Sequence, residues 1–297
     1  MPNTRLICLS NKLVPTVNFQ RNFKPQVTDI ILASYPKSGT TWLKALTVAL
    51  LERVKNRSCD DIQTHHHPLE SDNPHGLVPF LEMNLYLKSS TPDLTNLSSS
   101  SPRLFSTHMP LHTLQVPLKD SPCKIVYICR NWKDVLVSTW HFTSINVEET
   151  EAEGSFTLEL FFDSFCSGVH FFGPFWENVL SYWRGSLEDP KHVLFMTYED
   201  LKAEPHGQIK KLAEFLDCPF SEEEEERGDV DKILELCSLR NLSSLEINKT
   251  GTSNDVHNSN FFRKGEVGDW KNHLTPEMEN KIDNIIEEKL KGSDLKF

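Results

Sequence analysis

The 297-residue chain has no apolar run near the ~18 residues that a membrane-spanning helix requires. Its opening stretch, MPNTRLICLSNKLVPTVNF, also lacks the unbroken apolar core of a signal peptide, so a cytosolic protein with no membrane partner is expected. Basic residues are scarce. With 31 Lys and Arg against 42 Asp and Glu, the net charge of −11 argues against nucleic acid and against a polyanionic carbohydrate acceptor, since a backbone binder needs a basic face. The seven cysteines are odd in number and contain no C-x-x-C pair, which points to reduced thiols and not a disulfide framework. Metal signals are equally thin. His65-His66-His67 stands beside Pro68 without partnering cysteines and reads as a polar loop, so no metal is expected. The acidic run Glu222 to Glu226 reads as a solvated helix start after Ser221.

What is present alternates strand-like and helix-like segments, as an α/β protein should. Apolar runs at Asp29 to Ser34, Arg103 to Thr107, Lys124 to Cys129 and His192 to Thr197 predict four strands, and the intervening helical patterns predict parallel pairing. With 38 % hydrophobic residues the chain can bury a full core in a single domain, a central parallel sheet flanked by helices. Ser89 to Pro102, rich in serine, reads as a mobile loop gating the acceptor. Residues 156 to 184 are dense in aromatics, most of them core, with a subset available to line a pocket for a flat or fused-ring molecule. Thr275-Pro276 begins a helix with Ile282, Ile285, Ile286 and Leu290 on one face.

The most informative segment is DIILASYPKSGTTWLKA, residues 29 to 45. A strand runs into a Pro36 and Gly39 turn, and Trp42, Leu43, Leu46, Ala49 and Leu50 then recur at helical spacing. The backbone N–H groups of Ser38 to Thr41 are expected to point unpaired above the helix N-terminus, where the dipole favours an anion. Lys37 adds positive charge, and Thr40 and Thr41 add hydroxyl donors. The nucleotide-binding pattern G-x-x-x-x-G-K-[ST] does not fit, because Lys37 precedes the only glycine, Gly39. The cradle is P-loop-like without that pattern's arrangement for a metal. Farther on, Arg130 ends the Lys124 to Cys129 strand with a planar fork suited to a phosphate. Asn131 can cap a following helix whose Val135, Leu136 and Thr139 face inward, with Ser138 two turns past Arg130. Arg263-Lys264-Gly265 adds two basic residues on a loop whose glycines let backbone approach a ligand.

These segments resemble the cytosolic sulfotransferases, most closely their plant flavonoid and brassinosteroid branch, from about Gln26 to the C-terminus. Residues 1–25 then form a short variable segment and 26–297 the sulfotransferase domain. The resemblance implies the P-loop-like sulfotransferase fold and 3′-phosphoadenosine-5′-phosphosulfate as co-substrate. YPKSGTTW, with Lys37, Ser38, Gly39, Thr40 and Thr41, would hold its 5′-phosphosulfate end, and the ring of Trp42 would lie against adenine. Arg130 and Ser138 in VYICRNWKDVLVSTWHF would hold the 3′-phosphate, over which RKGEVGDW, with Arg263, Lys264 and Gly265, would close. Tyr198 and Ser243 would contact the nucleotide. His108, in PRLFSTHMP, would be the general base at a strand's carboxyl end, and Lys37 would neutralise charge on the departing phosphate.

The sequence also departs from that pattern. Ser106 stands where many animal members carry a lysine two residues before the histidine, so charge stabilisation is missing or supplied elsewhere. Trp132 replaces the usual proline after Arg-Asn. Leu245 stands near a position where animal members place an aromatic ring on adenine. Only Met1 to Gln26 precede the cradle, where plant members have a longer aromatic-containing segment walling the acceptor pocket; a shortened wall would widen substrate choice or lower activity. Lys271 and Thr275 fit the animal dimer motif but Pro276 and Asn280 do not, so dimerisation by that route is not expected. The alternatives are a family member that binds nucleotide without turnover and, from another enzyme class, a magnesium-dependent nucleotide kinase.

Overall fold

The computed structural model describes residues 14–57, 66–98, 102–119, 123–147, 157–170, 172–253 and 255–297. Four short strands form the centre: β1 (Ile30–Ser34), β2 (Leu104–Thr107), β3 (Lys124–Cys129) and β4 (Val193–Thr197). All pair in parallel, in the order β2-β1-β3-β4. Three of the predicted strands lose their first residue. Two of those residues, Asp29 and Arg103, instead form a buried two-point ion pair at the amino end of the sheet, with contacts of 2.6 and 2.7 Å.

Helices cover both faces, so nearly every strand residue is buried and the sequence reads as continuous apolar runs. Alternation still sorts the side chains. Ile31, Ala33, Phe105, Ile125, Tyr127, Cys129, Val193 and Phe195 enter one core, whereas Ile30, Leu32, Val126, Ile128, Leu194 and Met196 enter the other. The second core is filled by α1 (Thr40–Arg57), in which every residue from Leu43 to Leu50 is buried, Lys44 included. The first core holds helix 14–22 through Phe19, then α2 (Trp132–Val147), α3 (Leu158–Cys166) and α4 (Phe175–Glu188). It is closed by the C-terminal helix Pro276–Leu290, which starts as expected with Thr275 accepting from the Met278 N–H and Pro276 in the first turn. A small antiparallel pair, Thr252–Ser253 with Val256–His257, was not foreseen.

Trp132 occupies the first turn of α2, fully buried, stacked on Phe175 with ring centroids 5.3 Å apart; bulk here packs the core beneath the start of the helix. The acidic run corrects its expectation in part. Ser221 does cap Glu222–Glu226 with a full capping box, but Glu224 is buried, where it pairs with Arg53 at 3.0 Å and with Arg57. His67 caps the short helix Pro68–Ser71, and His65 lies outside the described residues, as do residues 99–101 of the loop expected at 89–102. Five cysteines, all buried, are free thiols among the described residues.

Candidate active site

In this order β2 lies on one side of β1 and β3 on the other, and at this switch point the carboxyl ends of β1 and β3 open into a cavity of about 880 Å³. The turn after β1 is tight. Lys37 has φ 66° and Gly39 φ 108°, and a Cβ at Gly39 would lie 2.9 Å from the Tyr198 ring, so only glycine fits. One expectation is corrected here: the Ser38 N–H is not free but closes the turn onto the Tyr35 carbonyl at 3.2 Å. The Ser38 hydroxyl, in contrast, is buried without a hydrogen-bond partner among the described residues. Thr40 meets Ser34 hydroxyl to hydroxyl at 2.6 Å. The Lys37 ammonium lies 4.0 Å above the Phe142 ring, and burial, then Arg263 and Arg130, lower its pKa to about 7.

Arg130 leaves the end of β3. Its Nη2 donates to the Glu266 carbonyl at 2.5 Å, its guanidinium lies 4.6 Å from the centre of the Tyr198 ring, and its Nε is buried without a partner among the described residues. Asn131 caps α2 by accepting from the Lys133 N–H at 3.0 Å, and Ser138, two turns on, lines the same cavity. Arg263 and Lys264 each reach Asp269 at 2.6 Å. Burial favours the neutral acid at Asp269, but bonds from Lys264, Arg263 and Asn272 outweigh it and hold the carboxyl below its usual range. The loop carrying these residues is held by backbone bonds: Tyr198 donates to the Gly265 carbonyl at 2.9 Å, and Asp134 accepts from the Gly268 and Trp270 N–H groups at 2.8 and 3.1 Å.

Lys37, Gly39, Thr40, Thr41, Trp42, Arg130, Ser138, Tyr198, Arg263, Lys264 and Gly265 therefore share one cavity wall. Ser38 and Ser243 do not join them: Ser38 is fully buried, and the Ser243 hydroxyl bonds back to the Arg240 carbonyl at 3.2 Å. Leu245 packs against the core below, while Leu239, Leu242 and Phe262 line the part of the cavity next to Trp42 and Tyr198.

The other half of the cavity is apolar, walled by Phe80, Met83, Phe142, Phe161, Val169 and Phe172. His108 lies at the seam. Its Nδ1 is 2.7 Å from the Ser34 carbonyl, which can only accept, so Nδ1 carries the proton and Nε2 the lone pair. Burial is the main cause lowering its pKa to about 3; the Ser34 bond opposes this, and Lys44, Lys37 and His170 add to it. The ring is thus neutral at any ordinary pH.

A domain family described as "Sulfotransferase domain" matches residues 27–294. Cytosolic sulfotransferase 1 of Arabidopsis thaliana is 67% identical over 288 residues, covering 97% of this chain and 86% of that protein. Among solved structures, an Arabidopsis thaliana protein superposes with a TM-score of 0.72 at 40% identity over 97% of this chain and 85% of that one. Mouse sulfotransferase SULT7A1, complexed with PAP, gives a TM-score of 0.67 at 28% identity, with 95% and 91% covered. The chain belongs to the cytosolic sulfotransferases of plants. It is an enzyme of the class that draws its sulfuryl group from 3′-phosphoadenosine-5′-phosphosulfate.

In this sulfotransferase several residues support the site without any local signal in the sequence. Glu82 accepts from the His108 N–H at 2.7 Å and from the Thr107 hydroxyl at 2.9 Å, while Asn178 donates to the His108 carbonyl at 2.9 Å and is itself held by Tyr127. Both ends of the His108 backbone unit are therefore fixed. Ser106, in the position of the animal lysine, donates to the Val78 carbonyl at 3.3 Å, and the buried Lys44 reaches that same carbonyl at 2.8 Å. Phe19 and Phe23, ahead of β1, pack against Tyr86 and Phe105 and do not line the cavity.

Proposed function

We propose that this sulfotransferase moves the sulfuryl group of 3′-phosphoadenosine-5′-phosphosulfate to a hydroxyl of a small apolar acceptor, a flavonoid or a brassinosteroid-like steroid, with His108 as general base. The observation that carries this reading is the tautomer of His108, whose Nδ1 is committed to Ser34 at the seam between the polar and the apolar halves of the cavity. His108 Nε2 takes the acceptor's hydroxyl proton as the oxygen attacks sulfur. The new S–O bond forms in line with the breaking bond to the bridging oxygen, whose electron pair stays on the departing phosphate. Lys37 meets that developing charge, and an anionic donor beside it restores the protonation that burial and the two arginines weaken.

Ser38, Gly39, Thr40 and Thr41 form the turn that cradles the 5′ end, with Gly39, Thr40 and Thr41 lining the cavity and Ser38 buried behind them. Trp42 and Tyr198 flank adenine. Arg130, with its unpaired Nε, takes the 3′-phosphate together with Ser138, Arg263, Lys264 and the backbone at Gly265. Ser243 has no part in this assignment. Charge is met throughout by lysine, arginine and backbone dipoles, so no metal is required. The aromatic lining suits a flat or fused-ring acceptor, and the Arabidopsis structure at 40% identity is described, provisionally, as a steroid sulphotransferase. The cytosolic setting follows its relatives' names.

The test is transfer of labelled sulfate to a panel of flavonols, hydroxysteroids and hydroxyjasmonate in the presence of EDTA, with intact enzyme and His108→Ala. Metal-independent transfer that falls by about 10²–10⁴ in the variant is expected. Transfer to none of the acceptors, or an unchanged rate in His108→Ala, overturns the reading.

A further inference from the structure

Behind the cradle lies a buried chain of polar groups that the reaction above does not use. Lys44, on the face of α1 turned away from solvent, places Nζ 2.8 Å from the Val78 carbonyl, 3.1 Å from His75 Nδ1 and 3.7 Å from the centre of the Phe80 ring. His75 in turn sets Nε2 2.9 Å from the Thr41 hydroxyl, and Thr41 and His75 both line the cavity. A lysine with no exposed surface is costly unless its charge is matched. Here the three protons of an ammonium face three acceptors: a carbonyl, an imidazole nitrogen and the face of an aromatic ring. The buried carboxylate of Glu82 favours the same charged state, opposing the burial that lowers the lysine's pKa.

The direction of the remaining bonds follows. If Lys44 donates to Nδ1, the neutral His75 carries its proton on Nε2 and donates to Thr41 Oγ1. Thr41 then accepts, and its own hydroxyl proton is directed elsewhere, toward the cavity. The opposite arrangement, a neutral amine accepting from Nδ1–H, would make Thr41 donate to His75 and present only lone pairs to an anion.

We infer that Lys44 and His75 are positioning residues that, through this relay, hold the Thr41 hydroxyl as a hydrogen-bond donor to the phosphosulfate end of the sulfuryl donor. The inference rests on the proposed reading of the cradle as the donor site. It also gives an account of Ser106, since the cation that the animal pattern places at that position is supplied here from α1, against the same carbonyl.

The test combines a spectroscopic signature with a double-mutant cycle. Nitrogen-15 NMR of the intact chain, with the His75 signals identified by their loss in His75→Gln, is expected to show the Nε2–H tautomer. Thr41→Val and Lys44→Met are each expected to raise the Kd for 3′-phosphoadenosine-5′-phosphate about tenfold, the worth of one hydrogen bond to an anion. The double variant is expected to cost no more than Thr41→Val alone, because both changes remove the same bond. If Lys44→Met does not fold, the same cycle is run with His75→Phe, which keeps the ring between Phe80 and Phe261. An Nδ1–H tautomer at His75, or costs that add, overturns the inference. Failure of the intact chain to bind the nucleotide defeats the donor-site reading instead, since the tautomer is read without nucleotide.

Discussion

The two halves of the cavity are built differently. The donor half comes from four short segments, three that follow β1, β3 and β4 and one that closes over them, and Arg130, Tyr198, Arg263 and Lys264 are tied there to backbone carbonyls or to the buried Asp269. The acceptor half is assembled from single residues of α2 and α3 and of the segments around Phe80 and Phe172, which meet mainly through apolar contact. A phosphate is the same in every donor and rewards fixed geometry, whereas an apolar acceptor rewards shape, which hydrophobic residues adjust with little loss of stability. The donor wall should therefore be intolerant of small changes and the acceptor wall tunable.

The largest break in that contrast is expected at Gly39. Gly39→Ala forces a side chain into a backbone region that non-glycine residues rarely adopt and against the Tyr198 ring, and should weaken binding of 3′-phosphoadenosine-5′-phosphate by about 10–100-fold, read by calorimetry. An affinity unchanged by that methyl would mean that the turn is not the donor cradle. Phe172→Ala is the matching change on the acceptor side. It should shift the acceptor KM about tenfold and alter the ranking of acceptors while leaving the nucleotide Kd alone. A change in nucleotide affinity there would show that the two halves are not separable.

The smallest effect concerns a cation at their boundary. Lys37 stands between the donor segments and Phe142 of the acceptor wall, with a pKa of about 7. At pH 8 the amine is largely neutral, and an anionic donor favours its charged form, so binding should take up a proton. The fraction should shrink as pH falls below 7, where the amine is already charged. Calorimetry in buffers of different ionisation enthalpy should detect an uptake that disappears in Lys37→Met.

The same contrast explains what could be read from the chain. The donor segments are local: a strand, a turn and a helix start within some fifteen residues imply their geometry, and Asn131 caps α2 as its residue type suggests. Strand order was not legible, because parallel pairing depends on crossovers that leave no periodic trace. Glu82, Asn178, His75 and Lys44 escaped notice for a related reason. Glu82 sits in the unusual wide turn Leu81–Leu85, and its task becomes visible only when that turn is packed beside β2. Lys44 falls in an unbroken buried stretch of α1, where a charge in the sequence looks like an exposed position until the carbonyl of Val78 is brought against it. Ser243 does not line the cavity, which the helix Leu239–Ser244 meets with Leu239 and Leu242 instead.

The closing loop carries one further consequence. Tyr198, Arg130 and Asp134 grip it through the carbonyls of Gly265 and Glu266 and the N–H groups of Gly268 and Trp270, atoms that every residue type except proline possesses in full. The exposed side chains of Glu266 and Val267 contribute nothing to that grip. Related enzymes can thus diverge freely at these two positions while the loop keeps its shape, and a run of variable letters between Gly265 and Gly268 would disguise a segment whose architecture does not vary.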